Sequence, residues 1–157
     1  MRKFTNLYIS LFYSGYFKFY PGTFASIISI FILFFLIELI EINNVIFFIS
    51  FTLLILISTY FIKKYSIYEN SHDSSKIVID EFLGIYLIFI FYDYIYIYNH
   101  AVTLIMIFIF FRFFDIFKIF PANIIDKKMT NSLGVILDDL VASIYTITVM
   151  YFINVYN

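Results

Sequence analysis

Five carboxylates stand at the edges of apolar segments. They are Asp80 and Glu81 in IVIDEFLG, Asp115 in FRFFDIFK, and Asp138 and Asp139 in LGVILDDLVAS. Charge at the rim of a bilayer is costly to place and serves as a marker of function. Carboxylates held close together repel, and some take up protons unless a cation sits among them. Mg2+ suits such a cluster: it prefers oxygen, takes one or two carboxylates, and completes its shell with waters and phosphate oxygens. Arg112, Asp115 and Lys118 are spaced by three, which predicts one helix face carrying a phosphate clamp beside a metal ligand. Phospholipid phosphate lies at this depth, so the expected substrate is an amphiphile with a phosphorylated head group.

The elements that must position these residues are hydrocarbon. Of 157 residues, 63% are hydrophobic and 13% charged, against about 25% charged in soluble domains, and mean hydropathy is +0.95. The expected fold class is all-α: a polytopic helical membrane protein of about five spans with an N-terminal interfacial helix, one integral-membrane domain over 1–157. The spans are read as 24–37, 45–62, 82–98, 101–120 and 140–157, at ~1.5 Å rise per residue against a ~30 Å core. Residues 4–17 follow Arg2 and Lys3 but lead to no small-residue cleavage site, so they read as a retained interfacial or re-entrant helix. Pro21-Gly22 marks a turn, and Thr23 is expected to cap the first span. The heavy use of Phe, Ile, Tyr and Asn fits an AT-rich genome, which weakens the meaning of single aromatics.

Charge placement sets the expected topology. With the N-terminus in the cytoplasm, all ten basic residues fall on the cytoplasmic side, while Glu38, Glu41, Asp93 and His100 fall outside. That is a positive-inside pattern, and it brings all five carboxylates to one face from three remote stretches. Cysteine is absent, so thiol nucleophiles and thiolate ligands are excluded. The two histidines, His72 (read as a loop residue) and His100, fall on opposite sides, so a paired-histidine lipid phosphatase is hard to build. Neither a DxDxT loop nor a DGxxAR pattern is present. The net charge of -1 is uninformative about partners; a membrane and a phospholipid are expected, and no nucleic acid.

Four blocks in order, YPGTFAS (20–26), HDSSKIVIDEFLG (72–84), FRFFDIFKIFP (111–121) and LGVILDDLVAS (133–143), resemble the phosphatidylglycerophosphatase A family. The resemblance implies a Mg2+-dependent, multi-pass enzyme of the bacterial inner membrane that removes the terminal phosphate of phosphatidylglycerophosphate to give phosphatidylglycerol. This chain departs from the family pattern at Ala25, at Ile119 (where Pro is usual), at Asn131-Ser132 (where a glycine pair is usual) and at Ser143 (where Gly is usual), positions where backbone would approach a ligand closely.

The expected roles follow. Asp80, Glu81, Asp115, Asp138 and Asp139 supply the metal ligands and the acid-base or nucleophilic group. Arg112 and Lys118 stabilise charge on phosphate oxygens, with Thr23 and its neighbouring N–H groups touching phosphate at a helix start. Plainer readings stand beside these. Either acid pair would serve as a helix cap, Arg112 with Asp115 as an i,i+3 salt bridge, and Lys63-Lys64 and Lys127-Lys128 as topology determinants. The alternative function is a small ion-coupled transporter using intramembrane carboxylates, and a purely structural membrane subunit is a third option.

Overall fold

The computed structural model describes residues 2–40, 44–69, 74–129 and 131–156; Glu41 and His72 of the sequence reading lie outside them. Among these described residues nine elements follow in order: α1 (Arg2–Ile9), a 3-10 turn (Ser14–Tyr16), α2 (Pro21–Ile40), α3 (Asn44–Glu69), α4 (Ile79–Ile90), α5 (Tyr92–Ile95), α6 (His100–Phe117), α7 (Ala122–Lys128) and α8 (Ser132–Val155). The described chain is all-helical, as the composition implies.

Among the described residues, four helices are long and apolar enough to cross a bilayer: Pro21–Leu39, Val45–Glu69, His100–Phe117 and Ser132–Val155. The third expected span, 82–98, is not a single helix. α4 has 12 residues, roughly 18 Å at 1.5 Å each, and breaks at Phe91 before the single turn of α5. Its length is compensated by position. α4 packs against α8, α2 and α3 and buries Leu83, Gly84, Ile85, Tyr86, Ile88 and Phe89. A helix enclosed by others has no lipid-facing length to match.

Small residues allow the close packing. A Cβ on Gly84 would lie 2.8 Å from the Phe111 ring of α6 and 2.9 Å from Ser143 Oγ of α8, so three helices meet there only because Gly84 has no side chain. Hydrocarbon offers no hydrophobic drive between helices, and such interfaces rely on close approach and satisfied polar groups. Ser29, Ser143 and Thr146 are buried and donate to carbonyls of their own helices at 2.7–2.9 Å.

Helix ends are set by local chemistry. Pro21 opens α2 with its φ pre-set, which makes Thr23 the third residue of the helix rather than its cap. Asn99 caps α6 by accepting from Val102 N–H at 2.9 Å, and Asn131 caps α8 by accepting from Gly134 N–H at 2.9 Å. α8 therefore begins eight residues before the expected fifth span. Its inward stripe runs Ser132, Ile136, Asp139, Ser143, Thr146, Met150, the 3-4 spacing of one helix face.

The expected N-terminal helix is shorter than 4–17: α1 stops at Ile9 and the chain turns left-handed at Leu11, Phe12 and Tyr13. α1 lies along α3, with Tyr8 OH 2.9 Å from Ser58 Oγ. At the bundle end away from the acids, Glu38, Tyr92 and His100 meet; His100 Nδ1 is 3.0 Å from Tyr92 OH and 3.9 Å from Glu38 Oε1. The bundle thus has an acid end and a far end, and His100 belongs to the far end.

Candidate active site

The starts of α2, α4 and α8 and the end of α6 converge at one end of the bundle around a cavity of about 480 Å³. Asp80, Glu81, Asp115, Asp138 and Asp139 all line it, with Arg112, Lys118 and a sixth carboxylate, Asp126 of α7. Six carboxylates thus face two cations, a formal surplus of four negative charges in a part-buried space. Asp139 is 4% exposed and Asp138 8%, so water does little to offset the charge of these two.

The acids divide by partner. Asp80, Glu81 and Asp139 each offer one oxygen within 4.8 Å of the others. Glu81 Oε2 and Asp139 Oδ2 are buried without a hydrogen-bond partner. Buried, unpartnered carboxylate oxygens fit a cation well, since each otherwise bears its full desolvation penalty. Asp115 and Asp138 are instead matched with bases. Arg112 Nη1 donates to Asp115 Oδ2 at 2.5 Å and lies 4.0 Å from Glu81 Oε1. Lys118 Nζ donates to Asp138 Oδ2 at 2.7 Å and also pairs with Asp126.

Local backbone explains this division. Asp139 continues the inward stripe of α8, whereas Asp138, one residue back and about 100° around the helix, turns toward Lys118. α6 ends at Phe117, and Lys118 sits in the left-handed conformation at φ 42°. It therefore leaves the helix face shared by Arg112 and Asp115 and reaches across to α7 and α8. Asp80 and Glu81 occupy the first turn of α4, where the helix dipole favours them. α4 has Val78 at its cap position with no side-chain cap, and α8 is capped by Asn131, so neither acid pair is a helix cap.

Burial raises the Asp80 carboxyl well above its usual value, and the Glu81 and Asp138 charges add to the effect. Glu81 is also raised, by burial first, with Arg112 acting in the opposite sense. Burial alone would lower the Lys118 ammonium; its bonds to Asp126 and Asp138 reverse that and raise it.

Thr23 is absent from the lining, whereas Tyr20, Pro21 and Gly22 belong to it. Gly22 is pressed against the site: a Cβ there would overlap Glu81 Oε1 and lie 3.3 Å from Arg112 Nη1. Gly134 has the same role against the Met129 carbonyl. Sequence reasoning missed Asp126, which stands beside Lys127-Lys128 in a stretch read only for its basic charge. Asn131, a departure from the family pattern, supplies the cap of α8. Ser143, another, donates to the Asp139 carbonyl at 2.8 Å.

Fold and site together define a polytopic helical membrane protein with a carboxylate-rich cleft at one end of its bundle. The sequence pattern of the phosphatidylglycerophosphatase A family matches residues 7–154. A Haemophilus influenzae protein described as phosphatidylglycerophosphatase A is 31% identical over 134 residues, covering 85% of this chain and 78% of the relative. No solved structure matches. The chain belongs to the phosphatidylglycerophosphatase A family, a family of phospholipid-metabolising phosphatases.

Proposed function

We propose that this chain hydrolyses the terminal phosphomonoester of phosphatidylglycerophosphate to give phosphatidylglycerol, in a Mg2+-dependent reaction at the cytoplasmic face of a bacterial inner membrane. The observation that carries the metal reading is the trio Asp80, Glu81 and Asp139, each offering one oxygen within 4.8 Å of the others, together with an unpartnered buried oxygen on Glu81 and on Asp139. These residues would hold Mg2+, which when bound neutralises their charge and draws electron density from phosphate oxygens. The lone negative surplus of the cleft would repel a phosphomonoester, so the same cation reconciles an acidic site with an anionic substrate.

The chain's own groups supply the rest. Arg112, fixed by Asp115, presents a guanidinium toward the cavity and stabilises charge that develops on phosphoryl oxygens. Lys118, held by Asp126 and Asp138, supplies a second cation to the cleft. Asp138 and Asp115 are the acids not needed as ligands, and either would orient or deprotonate the attacking water. Gly22 lets the start of α2 approach the cleft, which Tyr20, Pro21 and Gly22 line.

Orientation is supported by charge: all ten basic residues lie on elements of the acid end, including Lys63-Lys64 in the last turns of α3 and Lys127-Lys128 in α7, as expected for a cytoplasmic face. The transporter alternative asks for ionisable groups along a path through the bundle. Among the described residues, the buried charged side chains are Asp138 and Asp139, both at one end. The test is phosphate release from phosphatidylglycerophosphate with and without Mg2+, in wild type and in Asp80→Asn, Glu81→Gln and Asp139→Asn. Loss of at least about 10²-fold is expected in each variant; near-normal rates in all three, with folding intact, would sink the metal assignment.

A further inference from the structure

The stretch between α1 and α2 takes no part in the chemistry above, yet the backbone holds it against the site. Leu11, Phe12 and Tyr13 are consecutive left-handed residues at φ 44, 56 and 68°, a region bulky side chains seldom occupy unless their surroundings fix them. Here they are fixed. Phe12 N–H donates to the Leu7 carbonyl at 2.9 Å and Gly15 N–H to the Ser10 carbonyl at 3.0 Å, while Tyr13 N–H donates to Ser10 Oγ at 3.1 Å. Gly15 rests on the Lys76 carbonyl, where a Cβ would overlap it. Val78 N–H donates to the Ile9 carbonyl at 3.0 Å. Residues 9–15 are therefore docked on 76–78, the approach to Asp80 and Glu81.

What this stretch presents outward is aromatic. Phe12, Phe17, Phe19 and Tyr20 are 75%, 50%, 66% and 80% exposed, so they are not core. Phe17 stacks on Phe24 of α2 with ring centroids 4.5 Å apart, and the exposed Phe31 and Phe35 continue the apolar surface along that helix. Tyr20 also lines the cavity. Lysines are interleaved: Lys18 Nζ lies 5.9 Å from the Phe19 ring centroid and Lys76 Nζ 5.3 Å from that of Tyr16. Rings with interleaved lysines are the make-up of a segment lying at a membrane–water boundary.

We propose that residues 12–20 form a lipid ramp at the mouth of the cleft. They lie in the substrate's own leaflet, and Phe12, Phe19 and Tyr20 support the acyl end of a diacyl phospholipid while its terminal phosphate reaches the acids. The occupant is a phospholipid because the strip continues into the outward face of spanning helix α2 and its lysines complement an anionic head group. This inference rests on the phosphatase reading above and adds the surface that selects a membrane-held substrate over a soluble phosphomonoester.

Two measurements test it. The chain contains no Trp, so Phe19→Trp and Phe31→Trp are single-tryptophan proteins whose indole is excited selectively at the red edge. In vesicles containing chain-brominated phosphatidylcholine, both should be quenched; quenching of Phe31→Trp alone overturns the placement. Second, Phe12→Ser/Phe19→Ser removes two exposed rings without touching the core. The ratio of kcat/KM for long-chain over dihexanoyl phosphatidylglycerophosphate should fall roughly tenfold, equivalent to about 1.4 kcal/mol. An unchanged ratio, whether both substrates lose rate equally or neither does, overturns the ramp. A wild-type protein that releases no phosphate from either substrate overturns the phosphatase reading and the substrate role with it, while quenching still decides membrane contact.

Discussion

Gly22→Ala separates stability from activity. Gly22 lies in the first turn of α2 and its φ is not positive, so its backbone accepts alanine, and the exchange favours a helix by up to about 0.5–1 kcal/mol. The added Cβ, however, overlaps Glu81 Oε1 and lies 3.3 Å from Arg112 Nη1. The obstacle is the end of a flexible side chain, so the fold yields at little expense: Glu81 withdraws by on the order of 1 Å. That shift moves one oxygen of the Asp80–Glu81–Asp139 trio and disturbs the Arg112 pair. A misplacement of this size at reacting groups costs about 10²-fold in rate, or about 2.7 kcal/mol of barrier. The assay is phosphate release by purified protein in nanodiscs, alongside a circular-dichroism melt. The expected result is an unchanged or higher melting temperature with activity down about a hundredfold. Near wild-type activity would refute the reasoning, and so would a loss of activity that only tracks a loss of helix.

Other perturbations read other parts of the site. Gly134→Ala places a Cβ against the Met129 carbonyl, which is backbone and cannot swing aside, so stability should fall by about 1–3 kcal/mol, seen as a lower melting temperature. Asp126→Asn removes one of the two carboxylates that raise the Lys118 ammonium. A raised cation keeps its pair below its ordinary value, and loses it only as pH climbs through the folded value; the alkaline limit of activity should therefore move to lower pH in the variant, as read from a pH–rate profile. The absence of native cysteine permits accessibility mapping: Lys127→Cys and Asp93→Cys should react with an impermeant maleimide from opposite sides of sealed vesicles, and labelling from the same side would sink the two-ended arrangement.

The acid blocks were legible because charge in a hydrocarbon chain has few reasons to exist, and three apolar runs ending in acids can share a face only if the runs alternate in direction. The division of labour among the acids was not legible. It depends on where helices begin and end, and those points lie in capping chemistry rather than hydropathy. Asn131 starts α8 earlier than its apolar run suggests, which fixes Asp139 on the inward stripe and sends Asp138 toward Lys118. Lys118 in turn leaves the α6 face because the helix stops one residue before it, in a left-handed turn that no spacing rule announces. α4 escaped length-based reading because a helix enclosed by protein need not match a bilayer.

The same physics explains why Gly22, not Thr23, borders the site. A hydroxyl at a helix start invites assignment to phosphate because its chemistry is visible in the letters. A glycine is selected by what it lacks, and that is visible only once Glu81 and Arg112 stand on the other side of the gap. The cleft is made as much by absent side chains at 22, 84 and 134 as by charged ones: each lets a backbone approach that brings a carboxylate, or the helix that carries it, close enough for acids from separate segments to act on one group. Substituting the acids tests the chemistry, whereas substituting these glycines tests the convergence on which that chemistry depends.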